Sequence, residues 1–243
     1  TIFYGASAMN PTRLVEGINK WGQIFYQFFG QSECPMVISN MTRKEHDLSK
    51  PERLSSCGRP SPWIHLSLRD PEGNEVPRGE PGEICIRGPL IMKGYKDMPE
   101  QTAEAFAGGW LHTGDVGKLD DDGFLYIVDR TKDMIVTGGF NVFPREVEDV
   151  LGTHEAVGQV VVIGVPDEQW GEAVKAVIVL KPDFEASEEL ISSMQALVKK
   201  AKGSVQSPKS IDFVAAIPLT PVGKPDKKTV RAQYWVDSDR GVG

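Results

Sequence analysis

The segment IPLTPVGKPDKK, residues 217–228, sets Lys224 between Gly223 and Pro225. Neither neighbour suits a helix interior or a central strand, so a loop must carry this long cation. It is either a solvated surface turn or a lysine that reaches into a site built elsewhere. Three other stretches could share such a site. FFGQSE (28–33) can stack a base on Phe29, bring backbone amides near phosphate at Gly30, offer the Ser32 hydroxyl and place Glu33 on a metal. Equally, it is an aromatic core strand ending in a polar turn. In WLHTGD (110–115), a turn can present Asp115 to a vicinal diol, which would donate two charge-assisted hydrogen bonds to it. A turn aspartate can also cap its own backbone. In DRTKDMIVTGGFNVFPREVE (129–148), Arg130 is a second cation for ribose or phosphate, and the side-chain-poor TGG lets something approach the backbone. Asp129, Arg130, Lys132 and Asp133 could instead form a salt-bridged linker of little energetic weight.

Composition narrows the partners. The 243 residues carry a formal charge of −7, which leaves no general basic footprint for nucleic acid. Any polyanion must be met by local cations or backbone amides. The three cysteines, Cys34, Cys57 and Cys85, form no C-x-x-C pair. That argues against a disulfide framework or a zinc site and fits a reducing cytosol, so cytoplasmic localisation is expected. The longest aliphatic run, VVVI at 160–163, is far short of the roughly 20 residues of a membrane helix. The four histidines look scattered over surface or turn positions and receive no role.

The elements that must position these residues read as two domains. NPTRLVEGINKWG (10–22) predicts a helix with Asn10 as cap and Pro11 in its first turn. QIFYQFFG predicts a strand, and the proline-bearing stretch 40–62 a long surface connection. From 63 to 128, short strands between turns (IHLSLRD, GEICIRG, GFLYIVD) predict a small antiparallel β-structure. Beyond 132 the rhythm changes: PREVEDVL and SEELISSMQALVKKAKG predict helices, AVGQVVVIGV, AVKAVIVL and IDFVAAI strands, and DKKTVRAQYW a short helix. This is a compact α+β unit of about 110 residues.

YGASA, FGQSE, GEICIRGPLIMKGY (82–95), WLHTGD, GFLYIVDRTKDMI and PLTPVGK, in this order, resemble the C-terminal half of the AMP-forming adenylate enzymes. That superfamily includes acyl-CoA synthetases, adenylation domains of peptide synthetases and firefly-type luciferases. The resemblance runs from residue 4 to about Trp235. FGQSE matches the family's Tyr-Gly-x-Thr-Glu with Phe and Ser substituted. The family's phosphate loop, ending in Pro-Lys-Gly, has no counterpart here, so the chain is expected to be part of a longer protein and inactive alone.

The resemblance implies an α/β plus α+β architecture. Residues 1–131 would be the end of the large domain, a β-sheet subdomain and a small antiparallel barrel. Residues 132–243 would be a small mobile domain. It implies activation of a carboxylic acid, fatty or aryl-alkanoic, by ATP to acyl-AMP, followed by transfer to coenzyme A. Lys224 would be the catalytic cation and Glu33 the Mg²⁺ ligand. Gly5, Ala6, Ser7, Phe29, Gly30, Gln31, Ser32, Asp115 and Arg130 would hold nucleotide and acyl group. Gly138 and Gly139 would admit the pantetheine arm, and Lys132 would be the hinge. A lysine acetyltransferase acting on Lys224 and a second copy in a homodimer are the further partners expected. Adenylation for a carrier protein, or a non-catalytic nucleotide-binding module, are the rival readings.

Overall fold

The computed structural model describes residues 1–6, 9–221 and 223–235. The chain divides into two compact units, Thr1–Val128 and a second from Asp129 onward. In the first unit, β1 (Ile2–Gly5) leads to α1 (Pro11–Trp21), whose Asn10 side chain accepts the Thr12 amide as expected of a cap. β2 (Phe25–Gln31) runs parallel to β1, and β3 (Cys34–Met41) returns antiparallel, flanked by the short β4 (Arg59–Pro60). Leu14 and Ile18 of α1 pack on Phe25, Met41 and Leu54.

A second sheet follows: β5 (His65–Arg69), β6 (Gly82–Arg87), then α2 (Pro99–Ala105), β7 (Leu111–Leu119) and β8 (Leu125–Arg130). Its order is β5-β6-β7-β8, an open four-stranded sheet where a small barrel is expected. Ile84 and Ile86 of β6 alternate inward with Leu68, Leu111 and Leu125, and meet Phe29, Cys34 and Ile38 of the first sheet in one core. All three cysteines are buried and unbridged.

The stretch 40–62, expected as a surface connection, is so only in part. Pro51 opens a short 3-10 turn, Pro51–Ser55, and the backbone beyond it is stapled inside: the Cys57 amide donates to Leu125 O and the Leu125 amide to Gly58 O. Leu54, Ser56 and Cys57 are buried. So is His46, against the surface position expected of it. Its Nδ1 lies 2.7 Å from Thr42 O and its Nε2 2.9 Å from the Tyr4 hydroxyl. Burial holds the ring below its usual pKa, with Thr42 O and the Glu45 charge pulling the other way. A histidine depressed in the folded state contributes stability above its unfolded pKa, and that stability is lost as pH falls through the folded value. Thermal unfolding of the full-length protein should therefore shift to lower temperature as pH drops below about 6.5. A His46→Phe variant should show a flatter acid limb; an unchanged limb would assign the loss to other groups.

The second unit opens with a hairpin, β9 (Ile135–Thr137) and β10 (Phe140–Val142), followed by α3 (Pro144–Leu151). Then come β11 (Val157–Asp167), β12 (Gly171–Leu180), α4 (Glu188–Lys202), β13 (Ser210–Phe213) and α5 (Lys227–Ala232). The sheet runs β10-β9-β12-β11, with β13 parallel to β12. Strand alternation makes two cores. Val162, Val174, Ala176 and Ile178 face α3 and α4 through Val147, Leu151, Met194 and Val198. Val161, Ile163 and Val177 face Ile217 and Val230 of the segment carrying Lys224. No helix among the described residues is long and apolar enough to cross a membrane.

Candidate active site

Asp115 lies within β7, not on a turn as expected. β6 and β7 pair as Glu83↔Val116 and Cys85↔His112. Thr113, Gly114 and Asp115 therefore bulge out opposite the single residue Ile84. Such a bulge re-aims a side chain that a regular strand would hold in the pleat. Gly114, at φ 70°, supplies the left-handed backbone that the bulge needs. Side chains lace it in place. The Thr113 hydroxyl donates to Ile84 O (2.8 Å) and accepts the Asp115 amide (3.2 Å). Glu83 Oε1 accepts the Gly114 amide at 3.1 Å. Gln31 Nε2 donates to Thr113 O at 2.8 Å and to Asp115 Oδ2 at 2.9 Å. Asp115 is a buried carboxylate, 7% exposed, oriented by a neutral amide from the neighbouring sheet.

The structure thus brings Gln31 and Asp115 together, and gives Gln31 a positioning contact that its place in FGQSE did not announce. Loss of a buried amide hydrogen bond to a charged group costs roughly 1.5–3 kcal/mol. On the nucleotide-binding role that the resemblance implies, Gln31→Ala should raise the KM for ATP of the full-length protein about tenfold with less change in kcat. Steady-state kinetics check this, and an unaltered KM would detach Gln31 from nucleotide binding.

Ser32 and Glu33 form the two-residue turn between β2 and β3, with Gln31 paired to Cys34. Glu33 Oε1 accepts the Tyr95 hydroxyl at 2.9 Å, and Glu33 O accepts the Met92 amide at 2.7 Å. The hydrogen bond to Glu33, with some burial, holds the Tyr95 phenol above its ordinary pKa. Tyr95 and Glu83 both lie in GEICIRGPLIMKGY but drew no role from the sequence, because neither lies near its partner in the chain. Phe29 is 9% exposed in the core between the two sheets, so the stacking face expected of its ring is all but covered. Strand alternation puts Phe28 on the other face, where its ring meets Tyr26 and Phe3 at 4.8 and 5.4 Å. Gly30 has a structural reason of its own: a Cβ there would come 2.2 Å from the Met36 amide nitrogen. At Gly5 a Cβ would meet Phe28 O at 2.3 Å. Ala6 follows at φ 60°, strained for a residue with a side chain. Ser7 lies outside the described residues.

In the second unit, Arg130 ends β8 and donates its amide to Asp129 Oδ1 at 2.8 Å. Asp129 is 6% exposed, and its Oδ2 accepts the Arg145 amide at 2.8 Å in the first turn of α3. It is a helix anchor more than a linker charge. Lys132 sits in the exposed single turn Thr131–Asp133. Gly138 and Gly139, at φ 56° and 83°, make the two-residue turn of the β9–β10 hairpin, a geometry reserved for residues that tolerate positive φ. The Gly138 amide donates to Trp170 O, and a Cβ there would strike the Trp170 ring at 2.6 Å; Gly139 has nothing within 4 Å.

Lys224 is exposed on a closed loop rather than a slack one. The Thr220 amide donates to Lys224 O (2.7 Å), the Lys224 amide to Thr220 Oγ1 (3.1 Å), and Leu219 bridges Pro225. The Asp226 amide donates to Pro218 O, and the Asp226 side chain caps α5 through the Thr229 amide. Gly223, at φ 78°, makes the loop possible, and the loop holds the lysine backbone firmly.

The chain belongs to the AMP-binding enzymes, the adenylate-forming superfamily. The AMP-binding enzyme model matches residues 1–96, and the AMP-binding enzyme C-terminal domain model matches residues 146–224. The medium/long-chain-fatty-acid–CoA ligase FadD8 of Mycobacterium tuberculosis is 55% identical over all of this chain, which spans 43% of that protein. A feruloyl-CoA synthase of an Amycolatopsis species is 39% identical over 88% of the chain and 42% of its own length. Among solved structures, the amide bond synthetase McbA from Marinactinospora thermotolerans superposes with a TM-score of 0.82 at 38% identity, covering 96% of this chain and 46% of that one. The chain thus spans less than half the length of the relatives it matches.

Proposed function

We propose that the protein containing this chain is an AMP-forming acid–thiol ligase. It activates a fatty or aryl-alkanoic acid with ATP and passes the acyl group to coenzyme A. The observation that carries this reading is the Asp115 bulge, a buried, pre-oriented carboxylate of the kind that accepts two hydroxyls of a ribose. Relatives named for medium/long-chain fatty acids and for ferulate support the substrate class.

In this reading Asp115 grips the ribose, Arg130 assists there, and adenine lies near the Gly30 backbone, since the Phe29 ring is taken up by the core. Gly5 and Ala6 line one wall of the acyl pocket, Ser7 is assigned beside them from the sequence alone, and Ser32 meets phosphate. Glu33 offers the hard oxygen ligand that Mg²⁺ prefers, and Tyr95 fixes its orientation. The ion would add positive charge at the triphosphate. Lys224 neutralises the meeting of acyl carboxylate and α-phosphate, a step in which two anions approach and preorganised charge matters most. A division into 1–131 and 132–243, with Lys132 as hinge, lets the second domain withdraw Lys224 and present the Gly138–Gly139 turn to the pantetheine arm. Acetylation of Lys224 would remove the charge and stop adenylation. Self-association as a dimer and a cytoplasmic location complete the proposal.

The test is acid-dependent ATP–pyrophosphate exchange by the full-length protein over fatty and aryl-alkanoic acids of graded length, followed by CoA thioester analysis. Exchange stimulated by some of these acids, with thioester formed, is the expected result. A panel in which no acid stimulates exchange would overturn the reading.

A further inference from the structure

We propose that Glu83, Cys85 and His112 form a binding site for a divalent transition-metal ion of the zinc type. The site stands on the geometry of the second sheet of unit 1 alone and does not depend on the adenylation reading. Glu83 and Cys85 are two apart on β6, so they share the face opposite the core residues Ile84 and Ile86. The pairing Cys85↔His112 brings the histidine of β7 to the same face. One ligand atom from each of the three lies within 4.8 Å of the others, and Cys85 is fully buried beneath two half-buried partners. Their chemistry, one thiol, one imidazole and one carboxylate, is a mixed donor set that zinc accepts.

Two further observations point to a cation. The first is the orientation of the imidazole. His112 Nε2 lies 3.2 Å from Ala107 O, an oxygen that can only accept, so a proton on Nε2 satisfies this contact and leaves Nδ1 to face a cation. Donation of the outer ring N–H to a backbone carbonyl is the arrangement that fixes a metal-binding histidine. The Nδ1 lone pair then faces Glu83 Oε2 at 2.7 Å and Cys85 Sγ at 3.5 Å. A carboxylate and a ring lone pair this close require a positive charge between them, either a shared proton or a metal ion. The second is Ser67 on β5. It pairs with Cys85, completing a Ser67–Cys85–His112 row across three strands. Ser67 is 3% exposed, and its hydroxyl has no hydrogen-bond partner. A buried hydroxyl left unsatisfied is costly, and a metal-bound water beside Cys85 would satisfy it.

Binding releases two protons to solvent, that of the thiol and the one shared by Glu83 and His112, and forms bonds from the ion to Sγ, Nδ1 and Oε2. Burial, with the Glu83 charge adding to it and Arg69 opposing, pushes the Cys85 thiol up to about 12. Because protons leave on binding, affinity rises with pH. Oε1 of Glu83 stays on the Gly114 amide, so the ion and the Asp115 bulge share one carboxylate. Cysteine spacing alone argues against zinc because its usual sequence signature is paired cysteines, whereas here a single cysteine is completed across strands.

The test uses the full-length protein, freed of metal by chelation, with Zn²⁺ and Co²⁺ as probes. About one equivalent of Zn²⁺ should bind with one sulfur near 2.3 Å and nitrogen or oxygen neighbours near 2.0–2.2 Å in X-ray absorption. Co²⁺ should give a thiolate charge-transfer band. Cys85→Ser should abolish the sulfur shell and the band, and should weaken Zn²⁺ at least about tenfold. His112→Gln, at a half-buried position, should weaken it similarly if the serine variant folds poorly. Absence of bound ion, a shell without sulfur, or unchanged affinity in both variants would overturn the proposal and leave a shared proton between Glu83 and His112.

Discussion

Lys224→Ala in the full-length enzyme is expected to lower ATP–pyrophosphate exchange by about 10²–10³, the usual cost of one preorganised charge contact. Thioester formation from supplied acyl-adenylate should be largely retained. The asymmetry follows from the chemistry. Adenylation brings a carboxylate onto a phosphate and needs a cation between them, whereas thiol attack on the mixed anhydride starts from neutral acyl carbon. The loop geometry sharpens the expectation. The backbone of Lys224 is tied by Thr220 and the Leu219–Pro225 bridge, so truncating its side chain leaves the loop in place. Lys224→Arg keeps charge but not the compact ammonium, and should recover only part of the rate. If both half-reactions fell by the same factor, Lys224 would be acting on something common to them, such as folding or nucleotide affinity, and its assigned role would be wrong.

A bulky residue at position 139 is expected to do the opposite. Gly139→Trp should spare exchange and depress acyl transfer to CoA by about 10² or more, the scale of effect that misplacement of a reacting group produces. The site can host such a side chain. Nothing lies within 4 Å of a Cβ at Gly139, whereas the neighbouring Gly138 is blocked by Trp170. The φ of 83° adds strain of roughly 1–2 kcal/mol, which the hairpin must absorb. Gly139→Ala controls for that strain, because it carries the same backbone penalty with almost no bulk. If alanine and tryptophan impaired thiolation equally, the turn conformation would matter and the open channel would not. Gly138→Ala is uninformative by comparison, since its clash with the indole disturbs the hairpin first.

Much of the architecture was legible in residue order. Asn10 and Pro11 marked the start of α1 because caps act on backbone groups within a turn of themselves, so the signal is local. The valine runs of β11 and β12 read as buried strands, because a strand covered on both faces has no polar side to show. The contour from 40 to 62 misled. Its prolines and polar residues look like a solvent-exposed connection, yet hydrogen bonds from residues near 125 pull part of it inside, and no local pattern encodes a partner that distant. The same holds for the barrel that the resemblance implied, which depends on whether the outer strands meet and not on any one of them.

Sequence alone determined which side chains are available for chemistry: a lysine held by Gly and Pro, acids at a hairpin and before a valine, glycines where the chain must turn. Those choices follow from backbone sterics and short-range hydrogen bonding, which act within a few residues. Tertiary structure decided what each one does. Pairing β6 with β7 out of step lifted Asp115 from the sheet, Gln31 arrived from 84 positions away to orient it, and Phe29 was drawn into the core while Phe28 was not. Register is set by the burial of whole faces at once, so it can only be known when all the strands are in place.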